Sequence, residues 1–220
     1  METTIIKFSK SDFWASLAIG EISAWLIIAV INNLGVKFPY LSFLPVVFPI
    51  LCVGGLYIAH LIGKKIAIIY QIAKFVLVGG FNTLADWGIL AFLIYFFRLY
   101  LSHDSKDLLF SVGVFTIAYY SLYKSISFIV AAANSYFWNK LWTFKRESTE
   151  GMGKEFGQFF IVTIIGFLLN VFIASAIFKY IAPFDGLTAD QWGIVSAVFA
   201  TIISMVWNFL GYKFIVFDAK

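Results

Sequence analysis

Isolated polar side chains inside long apolar runs are the places where this chain could do chemistry. Asp86 lies midway along the uncharged stretch 75–97. An ionised carboxylate at bilayer depth costs roughly 2.5 to 3.5 kcal/mol, so such a group must face protein or water. It is paired with a cation, is protonated, or lines a polar path; a structural bond would go to Asn134, Asn139 or a serine. Asn82, Asn134, Asn170 and Asn208 are amides in similarly apolar surroundings and could bind hydroxyl groups. Lys140 and Lys213 each close an apolar run among aromatics: Trp138, Trp142 and Phe144 in one, Trp207, Tyr212 and Phe217 in the other. A lysine can partner a phosphate, and aromatic rings can cover a sugar face or anchor at headgroup level. Terminal lysines also snorkel to the interface with no ligand at all, and the two readings stand side by side here.

Other chemistry is poorly represented. Glu21 is alone in the first apolar run, and His60 and His103 have no companion at metal-ligand spacing. The single cysteine, Cys52, excludes an intrachain disulfide and a cysteine metal site. There is no Gly-rich phosphate loop followed by Lys and Ser or Thr, no nucleophile elbow and no HExxH motif. No polar segment is long enough for a nucleotide fold. The expectation is a non-enzyme without catalytic residues, cofactor or metal, whose transport, if any, is not ATP-driven.

These residues need a scaffold, and composition specifies it. Of 220 residues, 61% are hydrophobic and 13% charged, with mean hydropathy +0.90, against about 25% charged in soluble domains. Runs of about 20 uncharged residues, long enough to cross a bilayer as helices, occur at 13–34, 38–62, 75–97, 125–144, 156–178 and 191–212. They lack the alternation of barrel strands. The fold class is an all-α membrane protein with six transmembrane helices. With both termini cytoplasmic, eleven Lys and Arg fall on the inner side, among them Lys64, Lys74, Lys140, Lys213 and Lys220, and five on the outer side. The bias fits a multi-pass protein of a prokaryotic plasma membrane and argues against a nucleic-acid patch. The first run is too long for a signal h-region and has no small-residue cleavage site, so it is expected to remain a helix. Residues 108–123 form a shorter apolar run, read as an interfacial or re-entrant segment on the outer side.

The later part of the chain repeats itself. At an offset of 84 residues, KFVLVGGFNTLAD from Lys74 matches QFFIVTIIGFLLN from Gln158, so Asn82 answers Gly166 and Asp86 answers Asn170. At an offset of 73, SYFWNKLWTF (135–144) matches NFLGYKFIVF (208–217): Ser135 answers Asn208, Lys140 answers Lys213, and Tyr212 stands where the first copy has Asn139. The last four spans are therefore a duplicated two-helix hairpin of like topology. Helical spacing gives facing stripes of Lys124, Phe128, Ala131, Ser135 and Trp138 in the fourth span, with Ser127 and Asn134 adjoining. In the sixth the stripe is Ala197, Thr201, Ser204, Asn208 and Gly211.

The segment KFVLVGGFNTLADWGILAFLIY, the ending NKLWTF at 139–144 and the second ending NFLGYKFIVF at 208–217 resemble the GtrA-like family of small four-helix membrane proteins. The resemblance divides the chain into an extra N-terminal hairpin, 1–65, suited to partner docking, and a four-helix domain, 66–220. It implies translocation, or flipping, of a polyprenyl-phosphate-linked sugar for polysaccharide or cell-envelope glycosylation. Its motif falls on Lys74, Phe75, Gly79, Asn82 and Asp86, on Asn139, Lys140, Trp142 and Phe144, and on Asn208, Lys213 and Phe217. The implied substrate-binding set is Asn82, Asp86, Asn134, Asn139, Lys140, Trp142, Asn170, Asn208, Tyr212 and Lys213. Membrane lipids, a glycosyltransferase and a second copy of the chain are the partners to expect. Two alternatives remain: a non-transporting membrane anchor for a glycosyltransferase, and an ion-coupled exporter resembling the small multidrug transporters, with Asp86 as the proton-binding carboxylate.

Overall fold

A computed structural model describes residues 7–33, 37–113, 115–184 and 186–218. Leu34, at the end of the first expected span, and Lys220 of the charge census lie outside the described residues. Among the described residues the chain forms six long helices: α1 (Lys10–Asn33), α2 (Leu44–Gly63), α3 (Ala67–Tyr100), α4 (Tyr119–Trp138), α5 (Met152–Tyr180) and α6 (Ala189–Gly211). Five carry the length and hydropathy of a membrane span, and the chain is an integral multi-pass, all-α membrane protein. The one below that mark is α4, whose four serines, Lys124 and Asn134 lower its hydropathy. Side chains such as Phe172, Ile194 and Phe167 stand more than half exposed in the middle of helices. That surface suits lipid and not water.

Several elements depart from the spans read in the sequence. The third helix runs over 34 residues, about 50 Å at 1.5 Å per residue, well beyond a hydrocarbon core of about 30 Å. No proline interrupts it, so the helix continues past its apolar window at both ends. The run 108–123 is not one segment. Leu108–Val112 (β1) and Phe115–Ala118 (β2) pair antiparallel around Gly113, whose φ of 60° favours glycine, and Tyr119 already begins α4. His103 stacks on Tyr119 with ring centroids 4.3 Å apart, tying the loop after α3 to the start of α4.

The last turns of α4 and α6 widen. Asn139–Thr143 and Tyr212–Val216 are π-helical, with the amide of Phe217 donating to the carbonyl of Tyr212 five residues back. These two short turns fall at positions 73 residues apart. In α6 the buried stripe is Trp192, Ser196, Ala200, Ser204 and Gly211, one residue away from the expected Ala197 and Thr201, which are exposed. In α4 it is centred on Tyr123, Ser127, Ala131 and Ser135.

The chain resolves into two compact units, residues 1–143 and 144–220. In the first, α1 buries Asp12, Ser16, Ile19, Gly20, Ser23 and Ala24 along one face, a spacing of three and four residues. A core of Ile19, Leu56, Ala59, Tyr70, Val78, Phe81 and Trp142 joins α1, α2, α3 and the first π-turn. Gly20 is the point of closest approach. A β-carbon there would sit 2.5 Å from the α-carbon of Pro49, a backbone atom of α2. The second unit is the α5–α6 hairpin with the second π-turn.

Replacing Gly20 with Ala should force α1 from α2 and cost about 1 to 3 kcal/mol, the usual penalty of overpacking. Gly54→Ala, with nothing within 4 Å of the added carbon, should leave stability unchanged or slightly raised. Thermal unfolding of the two variants in detergent micelles checks the contrast.

Candidate functional site

Among the described residues three polar clusters lie along the helix interfaces, two of them in the first unit. The most enclosed joins α1, α3 and the first π-turn. Asp12, in the first turn of α1, forms an ion pair with Lys74 of α3, the side chains 1% and 4% exposed. The same carboxylate oxygen accepts the indole N–H of Trp142 at 2.9 Å. The other oxygen accepts the Ser9 hydroxyl at 2.7 Å and the Ser9 amide at 3.0 Å. The ammonium of Lys74 lies 4.6 Å from the ring centre of Tyr70 and 5.3 Å from that of Trp142, close enough for cation–π attraction. Both charges are thus neutralised where water is scarce, the condition under which a buried pair is tolerated.

The second cluster follows the α3–α4 interface. Lys124 pairs with Asp86, and Ser127 donates to the other Asp86 oxygen at 2.7 Å. The amide of Asn134 donates to Asn82 at 3.4 Å. Lys74, Asn82 and Asp86 are spaced eight and four residues apart on one helix, about 18 Å from end to end at the α-helical rise. Polar groups therefore recur along α3 over more than half the thickness of a hydrocarbon core, with a carboxylate–lysine pair at each end. Beside the Asp12–Lys74 pair an apolar groove of about 430 Å³ is lined by Ser11, Ala15, Asn134, Phe137, Trp138, Leu141 and Trp142.

The third cluster belongs to the second unit and carries no charge. Asn170 donates to Thr201 at 3.2 Å and to Ser204 at 3.3 Å, and Thr163 bonds the Tyr212 hydroxyl at 2.7 Å. Asn208 lies against the backbone of Gly166, where any β-carbon would collide with its amide. Its Oδ1 is buried without a hydrogen-bond partner among the described residues. A glycine at 166 thus makes room for the amide at 208, whereas the corresponding position of α3 carries Asn82.

The ten residues expected to bind substrate are thereby placed. Asn82 and Asn134 meet, and Asp86 meets Ser127 and Lys124. Trp142 faces Asp12. Asn139 is buried and turns its amide back to Ser135 at 2.9 Å. Lys140 is buried as well, 2% exposed, with its ammonium 3.3 Å from the Tyr136 hydroxyl. Lys213 lies over the rings of Phe209 and Phe214. Asn170, Tyr212 and Asn208 line the α5–α6 interface. The carboxylate of Glu21 accepts the indole N–H of Trp25 one turn on, at 2.8 Å, and His60 is packed among Phe8, Tyr57 and Tyr70.

Two participants escape the sequence reading. Asp12 stands just outside the uncharged window that begins at residue 13, and 62 residues separate it from its partner Lys74. One signal was present: Asp12, Ser16, Gly20 and Ser23 share a helical stripe of small and polar residues, which marks the side of α1 that faces protein. Lys124 was on the expected α4 stripe, yet its pairing with Asp86 spans 38 residues and needs the two helices in register.

Residues 74–217, about two thirds of the chain, match the family described as GtrA/DPMS, transmembrane domain. No curated protein and no solved structure matches the chain.

Asp12→Ala leaves Lys74 buried without its carboxylate and should cost about 3 to 5 kcal/mol. Lys74→Met alone should cost a similar amount. The double variant should lose far less than the sum, since removing both charges removes the unpaired ion. Thermal and denaturant unfolding of the four proteins in micelles gives the cycle; additive losses would show that the pair is not coupled.

Proposed function

The chain belongs to the GtrA/DPMS transmembrane domain family, and from that membership we propose that it moves a polyprenyl-phosphate-linked sugar across the membrane without catalysing a reaction on it. The observation that carries the reading is the row of polar groups along α3 and α4. Asn82 and Asn134 offer amides for sugar hydroxyls, and Lys124 and Asp86 offer a cation and a carboxylate that can exchange partners. A polyprenyl tail can stay in lipid while only the phosphosugar head crosses, so an interface crevice suffices where a channel would not be needed.

The reading includes the topology. Six helices span the membrane with both termini in the cytoplasm, and α4 is the sixth. Its polarity is offset internally: Lys124 is paired with Asp86, Ser127 bonds the same carboxylate, and Ser125 returns its proton to the Ser121 carbonyl at 2.7 Å. Groups so satisfied do not have to be hydrated at bilayer depth. Residues 66–220 form the domain proper, a duplicated hairpin whose first copy carries charge at Lys74, Asp86 and Lys124 where the second has Gln158, Asn170 and Ala197. The host membrane is a prokaryotic plasma membrane, and a glycosyltransferase uses the delivered sugar.

The test is reconstitution of the pure protein in liposomes that carry a short-chain polyprenyl phosphosugar on one leaflet. Exposure of the sugar to a membrane-impermeant oxidant is then followed. Wild type should accelerate oxidation of the protected leaflet, and Asp86→Ala should slow it at least tenfold. Ser125→Ala, outside the crevice, should behave as wild type. Folded protein that gives no acceleration over empty liposomes would instead favour a membrane anchor for the transferase.

A further inference from the structure

The N-terminal helix lies outside the family match, yet it delivers a carboxylate to the first residue of that match. Asp12 collects four donors at this place: the ammonium of Lys74 and the indole N–H of Trp142 on one oxygen, the amide and hydroxyl of Ser9 on the other. Lys74 and Trp142 belong to different elements and converge on one oxyanion position, buried and backed by the Tyr70 ring. An ammonium and an indole N–H so converged fit a phosphate oxygen as well as a carboxylate oxygen. Beside them opens the apolar groove, whose wall includes Ser11 and Ala15 from the same face of α1 and Trp142 itself. An anion position with an adjoining apolar trough has the chemistry of a lipid phosphate, head at Lys74 and chain along Phe137, Trp138 and Leu141.

We propose that Lys74 and Trp142 form a binding site for a prenyl phosphate and that Asp12 is its built-in competitor, holding the site closed until the lipid phosphate displaces it. The proposal rests on the transport reading for the choice of a prenyl chain, and it assigns α1 a role in the site in place of docking a separate partner. Displacement needs no covalent change. The Asp12 side chain swings toward the surface, where Ser9 and the helix start are already more exposed, and the phosphate takes its two donors. Occupancy by Asp12 weakens apparent affinity by the fraction of closed protein, so loosening Asp12 tightens binding.

The measurement is calorimetric titration of the full-length protein in micelles with farnesyl phosphate, beside farnesol and inorganic phosphate as separate probes. Asp12→Asn, nearly isosteric and uncharged, should bind farnesyl phosphate about tenfold more tightly than wild type. Adding Lys74→Gln should abolish that gain, and neither change should alter farnesol binding. Ser9→Ala removes one hydrogen bond from Asp12 at the helix edge and should tighten binding about threefold. It decides the matter if Asp12→Asn does not fold. Equal affinity in wild type and folded Asp12→Asn, unchanged affinity in Ser9→Ala when that variant decides, or a gain that survives loss of Lys74, overturns the proposal. So does inorganic phosphate gaining as much as farnesyl phosphate, since the site would then take a free anion. Because the readout is binding, a protein that shows the gain but does not translocate refutes only the transport reading.

Discussion

The ion pair between Asp12 and Lys74 sets the terms for the first unit. Two opposite charges in a water-poor interior are stable only while they stay together and keep their remaining hydrogen bonds. The pair therefore fixes α1 on α3, and through Trp142 it fixes the π-turn that ends α4. Three elements widely separated in sequence meet at one carboxylate. The close passage of Gly20 over Pro49 and the core of Ile19, Leu56 and Val78 then follow from where α1 has been pinned.

The same constraint explains why the two helical pairs of the matched domain differ. Between α3 and α4 the polar partners include full charges, so each ion needs its counterion, and Lys124 and Asp86 supply one another. Between α5 and α6, Asn170, which answers Asp86, instead bonds Thr201 and Ser204, neutral groups one turn beyond the counterparts of Lys124 and Ser127 that satisfy it with ordinary hydrogen bonds. Neutral pairs serve helix association well. Charged pairs do that less economically, since each ion must be kept with its counterion.

Helix existence was legible because a bilayer demands long uncharged runs, and such runs leave a plain trace in sequence. Their ends were less legible, since a helix such as α3 continues beyond its apolar window as long as no breaker stops it. The 108–123 run was misleading for a related reason: apolarity of that length does not distinguish a short hairpin followed by a helix start from a single inserted segment. On α6 the stripe held at Ser204 and Gly211 but was displaced by one residue at 197 and 201, because small and hydroxyl residues occupy neighbouring positions and the buried face could be drawn through either set.

Composition and motif thus determined the class of molecule, its family and the need of Asp86 for a partner, because bilayer solvation acts on each residue locally and leaves its mark residue by residue. Pairing was decided only by the tertiary structure. Which cation meets Asp86, and that Trp142 turns its indole to a carboxylate 130 residues away, depends on helix register and crossing, which nothing local encodes. Asp12 is the clearest case. Read along the chain it is one acid at the edge of a helix; folded, it is the counterion of Lys74, the first residue of the matched domain, because the packing of α1 on α3 puts it there.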